Sequence, residues 1–149
     1  MMANYCDNSD LAYERPKILS YGVEDWTDRI TEATSIINRA IETNWYRAAS
    51  KEYGLDYREY PFNSDLLLNA GSQLTRLCVY KSLYIIYRYL SKEAPEADAF
   101  ERFAELYNDL YKNELADVLA YGLDYDWDES GAIDSTERQI PIIRRLERC

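Results

Sequence analysis

Histidine is absent from this sequence of 149 residues, so no imidazole is available as a base or a ligand. Ser-His-Asp and Cys-His catalysis, histidine-ligated zinc and the Glu-x-x-His sites of ferritin-like bundles are excluded together. Glycine (5) and proline (4) are scarce, and they form no phosphate loop and no G-x-S-x-G elbow. The three cysteines, Cys6, Cys78 and Cys149, are too far apart for a C-x-x-C pair. Their odd number in a reducing compartment reads as three free thiols. Long hydrophobic runs are missing too: the apolar stretch at 83–86 is far short of the ~20 residues that span a bilayer. The opening MMANYCDNSDLAYERP carries acids and no apolar core, so it does not read as a secretory signal, and synthesis in a cytoplasm is expected. Positive charge is in deficit, with Lys+Arg 17 against Asp+Glu 27 and a net charge of -10. Such a body repels nucleic-acid phosphates. Pairs such as Glu101 and Glu105, or Asp25 and Asp28, read as solvated faces, and the chain is not expected to be an enzyme.

What is present is a hydrophobic content of 47%, enough for a single domain that buries roughly 68–70% of its unfolded surface. All four prolines and most of the glycines fall between stretches of helical periodicity. The fold expected is mainly α: a small bundle of three long helices plus a short N-terminal helix, with an extended C-terminal tail. Trp26, Ile30, Ala33, Ile37, Ala40, Ile41 and Trp45 recur at spacings of three and four, predicting a helix over 26–46 with Asp25 as its cap. A second helix, from 63 or 64 to 90, is apolar nearly all round in its C-terminal half and is therefore central. Gly71 within it implies either a later start, near Ser72, or a close approach of another backbone. A third helix runs over 98–121 and stops at Gly122. A short one is expected over 9–14. The domain plan is a helical bundle at 1–121, an acidic loop at 122–137 and a basic, apolar docking tail at 138–149.

Residues 44–62 are rich in rings and charges. These rings either serve an interface, since tyrosine tolerates a wet rim, or cap the domain's own core. The 15 tyrosines of the chain favour extensive contacts with other chains. In the tail, Arg138, Arg144, Arg145 and Arg148 against Glu147 give +3, interleaved with Ile140, Ile142, Ile143 and Leu146. A tail of this kind either docks on a partner or folds back and frays.

The acidic segment 126–137, DWDESGAIDSTE, matches a calcium loop: oxygen ligands Asp126, Asp128 and Ser130, Gly131 at the sixth position, Asp134 at the ninth and Glu137 at the twelfth. Calcium is the one ion implied. The flanks are poor, because Gly122 ends the entering helix and Pro141 shortens the exiting one. The other reading is an acidic turn before a short helix near Ser135, with Asp134 as N-cap and Glu137 in a capping box.

The order of these elements resembles the head-to-tail connector, or adaptor, proteins of tailed bacteriophages. The features that carry the likeness are the opening YCDNSDL, the run ATSIINRAIETNWYR, an aromatic loop, the apolar LTRLCVYKSLYIIYRYL, a further amphipathic helix and the tail. The resemblance implies a virion protein at the head-tail junction, a homo-oligomeric ring, commonly of twelve, beneath the portal protein. DNA would pass through the channel without specific binding. It also implies that 138–149 reaches the portal, while 44–62 faces a neighbouring subunit or the downstream neck or tail protein. No membrane partner is implied. The calcium-like loop departs from that family's pattern. The alternative is a monomeric acidic interaction module with a calcium-binding loop, or a decoy whose acids imitate DNA.

Overall fold

The first helix opens on a capping box. The Asp7 carboxylate accepts the Asp10 N–H, and the Asp10 carboxylate accepts the Asp7 N–H, each at 3.0 Å, which satisfies two of the donors a helix start leaves orphaned. This is α1, Asn8–Glu14. The computed structural model describes residues 3–21, 25–93 and 97–132. Asp134, Glu137 and the tail at 138–149 lie outside the described residues.

α2 is Thr27–Ile41. The N-cap position is Trp26 rather than the expected Asp25; from one residue before it Asp25 accepts the Thr27 N–H at 2.9 Å and the Asn8 side-chain amide at 2.8 Å, so one carboxylate holds the first N–H of α2 and ties it to α1. Ile30, Ala33, Ile37 and Ile41 are buried along the face that the periodicity defines. The helical run does not end at 46. It passes through a π-helical turn, Glu42–Tyr46, into α3, Arg47–Tyr53. A π turn rotates the following residues relative to an α-helical register, and here the adjacent Trp45 and Tyr46 are both fully buried. Gly54, at φ 95°, ends the run in the left-handed conformation that favours glycine.

The second predicted helix divides. Ser64–Leu66 is a single 3-10 turn, α4 is Ala70–Gln73, and α5 is Thr75–Glu93. The long helix starts at Thr75, later than the expected 63 or 64 and a turn beyond Gly71, but Gly71 itself lies in the short α4, where a Cβ would meet open space rather than another backbone. α5 is central: it packs against α2 and α6 and also touches α1 and α4. Leu77, Cys78, Leu83, Ile86 and Tyr87 lie in its core face. α6, Ala97–Tyr121, lies along it and stops at Gly122, φ 92°. The molecule is thus mainly helical, with three long helical runs and a short first helix among the described residues.

The loop expected to begin at 122 does not stand apart from the bundle. Leu123, Tyr125 and Trp127 are buried in the main core. Leu68 N–H donates to the Asp124 carbonyl at 3.1 Å and Asp126 N–H to the Leu66 carbonyl at 2.9 Å, around an antiparallel bridge between Leu67 and Tyr125. Residues 122–127 therefore belong to the bundle unit, which extends the expected boundary at 121.

Candidate docking groove

The returning segment completes a ring cluster. Trp127 stacks on Tyr46, with centroids 5.5 Å apart and planes 10° from parallel, and on Tyr53, at 5.1 Å and 19°. Tyr125 packs against Trp127 at 4.6 Å and against Phe62 at 5.7 Å. The hydroxyls are committed: Tyr46 donates to the Tyr60 carbonyl, and Tyr125 accepts the Asn63 N–H at 3.1 Å. Burial pushes both phenols above their ordinary range, and the Tyr125 hydroxyl beside Tyr46 adds to its shift. They remain neutral at ordinary pH.

The 44–62 rings thus divide between the two expectations. Trp45 and Tyr46 are buried, Tyr53, Tyr57 and Phe62 are half-buried, and Tyr60 is exposed. Most cap the domain's own core. The same holds for the tyrosine surplus, of which only Tyr13, Tyr60, Tyr89 and Tyr121 are exposed. A high tyrosine count is a weak sign of partners when aromatic packing inside the domain absorbs it.

Over this cluster lies an open groove of about 610 Å³. Tyr46, Tyr60, Phe62 and Trp127 supply its apolar wall, and Glu59, Asp128 and Glu129 bring acids to it. Trp127 is 7% exposed, and its indole N–H is the one buried side-chain donor without an acceptor among the described residues. A buried unpaired donor costs free energy on the order of 1–3 kcal/mol. An apolar wall with an acidic rim is the make-up of a surface that can bind a partner.

The calcium-like pattern starts at the edge of this groove. Asp126 is buried, and its carboxylate accepts the Ser130 N–H at 3.1 Å and the Gly131 N–H at 2.8 Å. Asp128 also accepts the Ser130 N–H, at 3.1 Å. Gly131, at φ 85°, makes the sharp turn that the sixth position needs, and Glu129 just before it is also left-handed, at φ 55°. Asp126, Asp128 and Ser130 are therefore drawn into one tight loop. Among the described residues no group of three acidic or cysteine side chains could hold a metal ion, and Asp134 and Glu137 lie outside them. The proposed partner-binding residues Arg138, Ile140, Ile142, Ile143, Arg144, Arg145, Leu146 and Arg148 also lie outside the described residues.

Trp127 and Tyr125 were not singled out by the sequence reading, which weighed the segment by its charge. A signal was present: in LDYDWD, apolar and acidic residues alternate with the period of two that places Leu123, Tyr125 and Trp127 on one side. Among the described residues no helix is long and apolar enough to cross a membrane. In comparisons with known proteins, no family model, no curated protein and no solved structure matches the chain.

Proposed function

We propose that this chain is a structural subunit of the head-to-tail junction of a tailed bacteriophage, a non-enzymatic connector that forms a ring beneath the portal protein. The observation that carries the reading is the acid-rimmed aromatic groove, whose Trp127 N–H has no acceptor among the described residues. It is a built receiving surface, on a chain whose 138–149 segment carries the opposite charge and branched aliphatic side chains. A patch on each copy that receives a different segment of its neighbour makes a heterologous contact, and such contacts form a ring where the rotation between copies closes. In this reading 138–149 engages the portal. The groove, built partly by 44–62, takes an apolar segment of the neighbouring subunit, with a cation against Glu59, Asp128 and Glu129 and a carbonyl facing Trp127. The negative body repels the DNA that passes through the channel.

Negative-stain imaging of the protein mixed with portal rings from the same source tests this. An added annular layer is expected, lost on deletion of 138–149 while the helical circular dichroism is retained. Absence of a layer with the full chain overturns the connector reading. In that case the acidic-module alternative is next, favoured by the turn at Asp126 to Gly131. Calorimetric titration with calcium would then show binding, and no heat at millimolar calcium would remove that alternative as well.

A further inference from the structure

Away from the groove, two cysteines that are 72 positions apart in the chain meet inside the bundle. Cys6 Sγ lies 3.0 Å from Cys78 Sγ, and both side chains are buried free thiols. The contact is not incidental to a loose N-terminus. The Tyr5 carbonyl accepts the Thr75 hydroxyl at 2.9 Å, the Tyr5 hydroxyl donates to Asn38, and the Asn4 amide donates to Thr31 at 3.2 Å. These bonds hold the residues on the N-terminal side of Cys6 against both α2 and α5. Two hydroxyls complete the pocket: Ser82 lies 3.9 Å from Cys6 Sγ and 3.8 Å from Cys78 Sγ, and Thr34 lies 3.7 Å from Cys78 Sγ.

We propose that Cys6 and Cys78 are a dithiol site that reacts with a low-molecular-weight disulfide to close an intramolecular disulfide, fastening the N-terminal segment to α5. The inference is independent of the connector reading. About one ångström of approach separates the observed contact from a bonded pair.

The two sulfurs divide the work. Cys6 donates its S–H to Cys78, and that bond, together with the Thr34 and Ser82 hydroxyls, favours negative charge on Cys78, lowering its pKa to about 7. The same sharing raises the Cys6 pKa, because its proton is held between the sulfurs, and burial adds to the effect. Cys6 is the outer member, 7% exposed against 0% for Cys78, so local opening of the N-terminal segment brings a reagent to Cys6 first. Opening parts the two sulfurs and ends the sharing that held the Cys6 proton, which is lost to water. Cys6 Sγ then attacks the reagent's S–S bond, forming a mixed disulfide and releasing one thiolate, which is protonated from water, and the segment recloses on the Cys78 thiolate. The Cys78 thiolate then attacks Cys6 Sγ, and the second reagent thiolate leaves and is protonated from water. Two cysteine thiols are oxidised by two electrons, and one disulfide is reduced to two thiols.

The experiment uses the full chain carrying Cys149→Ser, so that only the paired thiols count, and oxidised glutathione as the probe. After treatment, denatured protein is expected to show loss of both thiols and a monomer mass lower by two hydrogens. The thermal midpoint should rise by roughly 5–10 °C, as for a cross-link closing a loop of this length, and dithiothreitol should reverse all three changes. In a second variant, Cys149→Ser with Cys6→Ser, the midpoint rise should vanish. Retention of both thiols, a stable glutathione adduct, or a cross-linked dimer would each overturn the proposal.

Discussion

Arg15 donates its Nε–H to the Tyr107 hydroxyl at 2.7 Å, and its guanidinium lies 4.3 Å from the centre of the Phe103 ring. A cation just past the end of α1 is thereby seated on the aromatic face of α6. The Tyr107 hydroxyl donates onward to Glu14 at 3.3 Å, so the phenol bridges a base and an acid.

Two different interactions hold Arg15, one directional and one with a ring face, and a lysine cannot reproduce both. Arg15→Ala should lower stability by about 1–2 kcal/mol and Arg15→Lys should recover less than half of that. Urea unfolding of the two variants measures it. Equal stability of Arg15→Lys and the parent chain would show that charge alone matters here.

Trp127 separates packing from recognition. Its N–H has no acceptor among the described residues, so Trp127→Phe gives up volume but no hydrogen bond and should cost about 1 kcal/mol. Trp127→Ala empties the space between Tyr46 and Tyr53 and should cost about 3–5 kcal/mol. If the groove receives a partner carbonyl, Trp127→Phe folds yet adds a weaker or incomplete layer to portal rings. A complete layer of unchanged salt resistance would remove the indole N–H from the contact.

Asp126 gathers two backbone donors, from Ser130 and Gly131. In Asp126→Ala both N–H groups lose that carboxylate, at a cost of about 1–3 kcal/mol. Asp126→Asn keeps one carbonyl oxygen and should fall between. Chemical denaturation gives the order, and hydrogen exchange at Ser130 and Gly131 gives the location. Unchanged exchange at both amides in Asp126→Ala would show that the turn is held by its own backbone.

The helices were legible because each buries one stripe, and spacings of three and four report that directly: Trp26, Ile30, Ala33, Ile37 and Trp45 are all in the core. The boundary at 46 was not, because the charged residues of α3 mask its Ala49 and Ser50, both buried. Nor does periodicity announce a π turn, which breaks the 3.6-residue repeat at Trp45 and Tyr46. The acidic segment misled through its charge: acids dominate 122–137, whereas the fold responds to their alternation with Leu123, Tyr125 and Trp127. The pairing of Cys6 with Cys78 belongs to tertiary structure alone, since nothing local links one thiol before α1 to another on α5.

The tyrosines give the bundle an alkaline limit. Burial raises Tyr5 and Tyr87 to about 12 and also raises Tyr107, Tyr111 and Tyr125. A phenol whose folded pKa lies above its unfolded value of 10 keeps a proton that the unfolded chain gives up. Its contribution to stability is therefore complete below pH 10 and is lost as the pH rises through 12. With about 2 kcal/mol from each of Tyr5 and Tyr87, the loss rivals a good part of the ~5–15 kcal/mol that holds a domain together. Helical circular dichroism should therefore collapse between pH 10 and 12, in step with the late portion of the phenolate absorbance. Tyr87, whose hydroxyl takes no part in the hydrogen bonds described above, is the cleanest site to alter: Tyr87→Phe should move the collapse to higher pH. A collapse at the parent pH in that variant, or late phenolate absorbance that develops while the helices persist, would show that burial of these rings does not set the limit.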